Sequence, residues 1–213
     1  MLRIGLMGGI GSGKSEAAAV LRRLGADVIE ADAVARELVA PGSRVLDEIV
    51  DAFGSDVLRP DGTLDRPRLG RRAFSDPALL ARLNGITHPP LIDALMERVE
   101  STERRRRRGV VVVDAALLAD WDVLDLFDVV VAVTAPPEVR LSRTIAGGLS
   151  EDEARARAAA QTEEADLAAM ADVVIENAGT LEDLERAVRE FWQTLPAGPR
   201  SAAEEARRPT EEA

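Results

Sequence analysis

The run Gly8-Gly9-Ile10-Gly11-Ser12-Gly13-Lys14-Ser15 holds the only lysine among the 27 basic residues of this 213-residue chain. It fits the phosphate-loop pattern G-x-x-x-x-G-K-[ST], in which glycines let the backbone curl so that successive N–H groups face one anion. Lys14 would bring a compact charge to the β- and γ-phosphates of a nucleotide, and the Ser15 hydroxyl a ligand for Mg²⁺. An ammonium follows a transferring phosphate, whereas the planar guanidinium suits a fixed bidentate partner. Gly9, Gly11, Ser12, Gly13, Lys14 and Ser15 are therefore expected to cradle ATP.

Three further positions carry groups able to act on what the loop holds. Asp114 ends the run Val110–Val113, and its carboxylate would bind Mg²⁺ directly or through water. The other reading makes it an N-cap of the following helix. Asp32 follows the segment Asp27–Glu30, at a strand end expected beside the phosphate-loop strand. There it would accept a proton from an acceptor hydroxyl, or else cap a helix. The pair Glu176-Asn177 closes a third apolar run. In parallel sheets, ligands gather at such carboxyl ends.

The elements that must position these groups follow from the apolar pattern. Leu2, Ile4, Leu6 and Met7 read as a buried strand, and Glu16–Leu24 as a helix ended by Gly25. Asp27–Glu30 reads as a second strand. Val110–Val113, Val129–Val133 and Val173–Ile175 are unbroken apolar strands of the kind buried on both faces of a parallel sheet. Between residues 33 and 103 only helices and turns are expected: 33–39, 45–53, one opening at Asp76-Pro77, and 91–100 after a break at His88-Pro89-Pro90. Ser150 and Glu153 form a capping box predicted to open one long helix to about Met170, and Thr180 with Asp183 opens the last helix. The expected fold is an α/β three-layer phosphate-loop fold with a five-stranded parallel sheet. One domain, 1–196, is expected, and 197–213 reads as a disordered tail.

Composition narrows the function. A net charge of −11 argues against general affinity for nucleic acid or anionic membrane. The run Arg104–Arg108 is the one basic block. Without interleaved aromatic residues it reads as a solvated connector rather than a nucleic-acid patch. No cysteine is present, so neither a disulfide framework nor a cysteine metal site is expected. With no apolar run of membrane length and no leader ahead of the first strand, a cytoplasmic protein is expected. A guanine-reading Asn-Lys-x-Asp motif would need a second lysine, which disfavours a GTPase switch.

The ordered set of motifs resembles the dephospho-coenzyme A kinase family. It comprises Leu6–Ser15, Val28–Asp32 with Arg36, Phe53-Gly54, Asp61-Gly62, Asp65-Arg66, Leu69, Phe74, His88-Pro89, Asp114–Leu118, Arg140, Arg143, Gln161, Ala171-Asp172 and Asn177. The resemblance covers about residues 1–195. It implies transfer of the ATP γ-phosphate to the ribose 3′-hydroxyl of dephospho-CoA, giving CoA and ADP. It also implies a helical substrate region, placed at 33–103, and a mobile lid; the charged, alanine-rich segment 140–169 reads as that lid, with Gly147-Gly148 before the Ser150 cap as its hinge. Carried over, Lys14 and Ser15 serve ATP and Mg²⁺, and Asp32 orients or deprotonates the ribose hydroxyl. Arg140 and Arg143 close on the phosphates, and the region around Asn177 to Gly179 lies near the adenine. His88 is either a catalytic histidine or a structural residue of the substrate region.

The chain departs from the family pattern at several points. Glu16 stands where threonine is common and puts a carboxylate beside the bound nucleotide; Met7 replaces another threonine. Ala116-Leu-Leu-Ala-Asp120 replaces Pro-Leu-Leu-x-Glu. Ala146-Gly147 and Leu167 occupy positions where lid cations are common, so Arg140 and Arg143 are expected to carry more of the charge, or the enzyme to be slow. The alternatives are a kinase for another nucleoside or nucleotide, and a nucleotide-binding protein of weakened activity. A monomer or weak homo-oligomer is expected.

Overall fold

The computed structural model describes residues 1–196 apart from Arg107, Leu117 and Ala160; the expected disordered tail, 197–213, lies outside the described residues. The chain divides into two compact units, one formed by Met1–Ile29 with Val99–Ala213, the other by Glu30–Arg98.

The first unit is built on a five-stranded sheet of β1 (Leu2–Met7), β2 (Asp27–Glu30), β3 (Val110–Asp114), β4 (Val129–Thr134) and β5 (Val173–Glu176) in the order β2-β3-β1-β4-β5. β1 runs parallel to β3, with Leu6 opposite Asp114, and parallel to β4; β4 runs parallel to β5. This is the five-stranded α/β sheet that the apolar runs predict. Ile4, Leu6, Val110, Val112, Val131 and Val133 pack against α1 (Lys14–Arg23) and α9 (Leu181–Thr194). Val111 and Val113 are buried as well, so β3 has no solvated face and reads as continuous valine. One expectation fails here. β3 lies between β2 and β1, so Asp32 does not follow a strand adjacent to the phosphate-loop strand.

The second unit contains α2 (Ala31–Leu38), α3 (Arg44–Phe53), α4 (Arg66–Ala73) and most of α5 (Pro77–Arg105). Its core gathers Val39, Leu46, Ile49, Phe53, Val57, Leu64 and Leu69. Ser43 caps α3 by accepting from Leu46 N, and Asp65 caps α4 by accepting from Arg68 N. Apart from an isolated bridge between Leu58 and Leu64, no strand pairing occurs in it among the described residues, as the sequence predicts. α2 begins two residues earlier than predicted, so Asp32 lies in its first turn.

The predicted break at His88-Pro89-Pro90 does not exist. α5 runs through both prolines. A proline ring fixes φ near the helical value, so its penalty is a lost hydrogen bond and crowding of the carbonyl four residues back, not a forbidden backbone. The far end of α5, in the first unit, is tied to β1 by Arg3, which donates from Nε and Nη2 to Glu103 at 2.9 and 2.7 Å.

The long helix predicted from Ser150 to Met170 is two. After α6 (Pro137–Ala146), Ser150 and Glu153 close their capping box over α7 (Glu151–Ala159). The chain then leaves the helix at Gln161-Thr162-Glu163 before α8 (Glu164–Met170). The interruption is tertiary in origin, since Gln161 accepts from Ile10 N at 2.7 Å and Thr162 donates to Asp120 at 2.7 Å. Arg104 and Arg105 close α5, and Arg106 pairs with Asp27 at 3.1 Å. Of the arginine run, Arg107 is outside the described residues. No described helix is long and apolar enough to cross a membrane.

The capping box of α9 is complete. Asp183 accepts from the Thr180 backbone N–H and hydroxyl, and from Arg186, and these bonds hold its carboxyl at about 2. Because this value lies below the ordinary 3.8, the stabilisation is present above the ordinary value and is lost as pH falls toward the folded one. Carboxyl-carbon NMR titration of Thr180→Ala is expected to show Asp183 shifted upward toward 3.8. Because the Thr180 N–H remains, only part of the shift should be lost, and an unchanged titration would mean that the hydroxyl is not among its causes.

Candidate active site

Lys14 is the first residue of α1, so its charge and the free N–H groups of the helix start face the same space. Gly13, just before it, has φ +93°, and a β-carbon there would collide with the Asn177 amide. Ser15 and Glu16 follow in the first turn, both exposed. Ser12 is fully buried, and its hydroxyl has no hydrogen-bond partner.

The ammonium of Lys14 is paired with Oδ1 of Asp114. Asp114 is only 8% exposed. β3 delivers it opposite Leu6, one residue short of the end of β1, so strand register brings the pair together. Asp114 therefore does not act as a helix cap, and its carboxylate is already committed to the loop cation.

The backbone of the loop is gripped from two sides. From β5, Asn177 is 2% exposed and donates from Nδ2 to Ser12 O at 2.8 Å. Its Oδ1 accepts from Arg143 at 3.2 Å, while Arg143 also reaches Asn177 O at 3.0 Å and Gly179 O at 3.1 Å. The side chain predicted near an adenine is thus consumed by the protein, and its work here is to hold the loop. From α6, Arg140 donates from Nε to Ile10 O at 2.9 Å, and Gln161 takes the Ile10 N–H.

Glu164 completes this second grip. Its Oε2 accepts from Ala135 N at 3.0 Å, and its Oε1 lies 3.0 Å from Nη1 of Arg140. Sequence reading passed over Glu164. The available signal was an acidic residue opening a short helix, which is too common to single out. Beside Ile10 and Arg140 a cavity of about 450 Å³ is lined also by Leu141, Thr144, Ala154 and Arg155. Asp32 lies in the second unit, exposed, on the first turn of α2.

Both guanidiniums, of Arg140 and Arg143, thus have protein partners, and contact with a phosphate would have to displace them. The segment 140–169 is also not uniform. α8 is anchored by Leu167, 2% exposed, and by Glu164, whereas α7 buries only Ala154. Apolar burial therefore holds α8 in place and leaves α7 with little to pin it. Gly148, between α6 and α7, has φ +101° with open space around it. Without ligand, amide exchange measured by mass spectrometry is expected to be faster in α7 than in α8, and nucleotide is expected to slow α7. Equal exchange in the two helices would contradict this division.

Among the described residues, no group of three or more His, Cys, Asp or Glu is arranged to hold a metal. A hard cation that keeps most of its waters and binds phosphate oxygens needs only one or two protein oxygens. The exposed Ser15 hydroxyl and the Asp114 carboxylate suit that demand.

A model of the dephospho-CoA kinase family matches residues 2–183. The dephospho-CoA kinase of Streptomyces avermitilis is 47% identical over 196 residues, covering 92% of this chain and 94% of its own. That of Thermobifida fusca is 45% identical over 197 residues, covering 92% and 96%. A solved Thermus thermophilus protein superposes with a TM-score of 0.76 at 36% identity, over 92% of this chain and 98% of its own. A shikimate kinase from Bacteroides thetaiotaomicron shares the fold, with a TM-score of 0.53 at 18% identity over 90% and 96%.

Proposed function

This chain belongs to the dephospho-CoA kinase family, and we propose that it transfers the γ-phosphate of ATP to the ribose 3′-hydroxyl of dephospho-CoA, the last step of CoA synthesis. The observation that carries this reading is the length of the match. Residues 2–183 include the whole helical unit as well as the phosphate loop. The loop alone would fit any nucleotide triphosphatase. Relatives at 45–47% identity over nine-tenths of the chain favour dephospho-CoA over another nucleoside as acceptor.

In the proposed reaction the phosphate loop and Lys14 hold the β- and γ-phosphates, and the chain's task is to position groups and neutralise charge. Triphosphate competes with Asp114 for the Lys14 ammonium, and with Ile10 O and Glu164 for Arg140. Mg²⁺, held by Ser15 and Asp114, would neutralise charge on the phosphate oxygens. Asp32 accepts the proton of the attacking ribose hydroxyl. Asn177 and Arg143 keep the Ser12 carbonyl turned away from the anion, so the loop N–H groups remain available to it. A coupled ADP-release assay comparing dephospho-CoA with adenosine and AMP tests the reading. Fast turnover is expected only with dephospho-CoA, and turnover with adenosine or AMP at the same or greater rate would overturn it.

Asp32→Asn is expected to lower kcat by about 10²-fold or more while ATP binding stays near that of the unchanged protein. A loss confined to ATP affinity would assign Asp32 to the nucleotide instead. Lys14→Ala is expected to lower kcat by roughly 10²–10³-fold, as for other preorganised donors to a developing charge. Because it also strands the buried Asp114 carboxylate, its melting temperature should fall as well. Lys14→Arg keeps a cation there, and is expected to fold and still fail in transfer. Full turnover in a folded variant of either kind would contradict the role given to Lys14.

A further inference from the structure

We propose that Glu164 stands in at Arg140 for the terminal phosphate of ATP, and thereby limits how strongly the site prefers ATP to ADP; the inference rests on the reading of the loop as an ATP site given above. The pair is seated on the loop itself. A β-carbon at Gly9 would lie 2.5 Å from Nη2 of Arg140 and 3.1 Å from Oε1 of Glu164. The two groups thus occupy the space where a larger residue's side chain would begin. Both are mostly withdrawn from water, with side chains 13% and 19% exposed.

The partners differ in freedom. Glu164 is the first residue of α8, its Oε2 is taken up by Ala135 N, and the buried Leu167 anchors the same helix. The carboxylate therefore stays in place when a ligand draws the long arginine side chain away. Its Oε1 is shielded from solvent and accepts no hydrogen bond, so its compensation is the charge of Arg140, 3.0 Å away. Asp114 differs, being suited to Mg²⁺ once Lys14 is drawn off. Among the described residues, Glu164 forms an ion pair with Arg140 alone. A ligand that takes Arg140 leaves a shielded carboxylate uncompensated beside its own negative charge, and that cost subtracts from its binding.

The phosphate concerned is the terminal one. In a phosphate loop the backbone N–H groups and the helix start cradle the α- and β-phosphates, and the lysine reaches the β and γ. Arg140 instead meets the loop at its opening residues, Gly9 and Ile10. ATP then has to detach Arg140 from Glu164, whereas ADP, one phosphate shorter, does not. Once the phosphate has been transferred the carboxylate regains its cation, so the pair favours the side of the reaction on which ADP is bound.

Calorimetric titration of the full chain with ADP and with a non-hydrolysable ATP analogue measures the preference. Glu164→Gln keeps an oxygen for Ala135 N and removes the charge. It is expected to bind the ATP analogue about tenfold more tightly, as for a charge-assisted contact no longer contested, and ADP within about twofold of the unchanged protein. In turnover the KM for ATP should fall with no rise in kcat, the pattern of binding gained equally in ground and transition states. Glu163→Gln, which removes the same charge from the exposed neighbour, should leave both affinities as they are. In an Arg140→Ala background, Glu164→Gln should lose most of its effect on the analogue. No tightening in a folded Glu164→Gln protein, an equal shift for analogue and ADP, a like shift from Glu163→Gln, or an undiminished effect without Arg140 would each overturn the proposal. If the unchanged protein binds neither nucleotide, the ATP reading itself falls, and this inference with it.

Discussion

A carboxylate and an ammonium share a poorly hydrated position at the carboxyl edge of the sheet, and neither is tolerable there without the other. Asp114 is delivered by a strand of four buried valines, and Lys14 by the first residue of a helix whose start already favours anions. Removing one partner of such a pair leaves an uncompensated buried charge, a penalty of about 3–5 kcal/mol. The parallel register of β1 and β3, the turn before α1 and the order of the central strands all serve to keep the two groups together. Placing them is what the sheet does for the site.

The second constraint concerns backbone. A loop that turns its N–H groups toward a ligand must send its carbonyls somewhere, and a buried carbonyl without a donor is costly. Ser12 O receives the Asn177 amide and Ile10 O receives Arg140. Both donors come from the part of the sheet beyond β1, from α6 next to β4 and from the end of β5. The loop is thereby tied to α6, the helix that precedes α7, and to the end of β5. A displacement of the Arg140 side chain is felt at Ile10 through a single hydrogen bond.

Much of this was legible in the sequence. The glycine pattern with Lys14, the valine runs of β3 and β4, and the capping boxes at Ser150 and Thr180 are local signals, and each marks the element it announces. What was hidden depends on distant partners. The helix passes through Pro89 and Pro90, where a single-window reading sees only two breakers. The helix predicted to continue to Met170 stops because Gln161 bonds across 151 positions to Ile10. Asp114 could be placed at a strand end, but not beside Lys14, since the pairing of β1 with β3 is a matter of register. Asn177 was read as facing a ligand, yet it is buried as a loop support, a distinction that residue type does not carry. Leu167, read as a missing cation, is the apolar anchor of α8.

With Lys14 as the only lysine, the chain offers one side-chain amine, and that amine sits at the phosphate loop in the grip of Asp114. Selective ¹⁵N labelling of lysine therefore gives a single ammonium resonance, free of overlap, whose position reports whether the carboxylate or a phosphate is its neighbour. Reagents that acylate amines find the same group as their one side-chain target, and bound nucleotide would shield it. With arginine as the only other basic residue besides one histidine, the loop cation is thus a built-in probe, readable without a mutation or an attached dye.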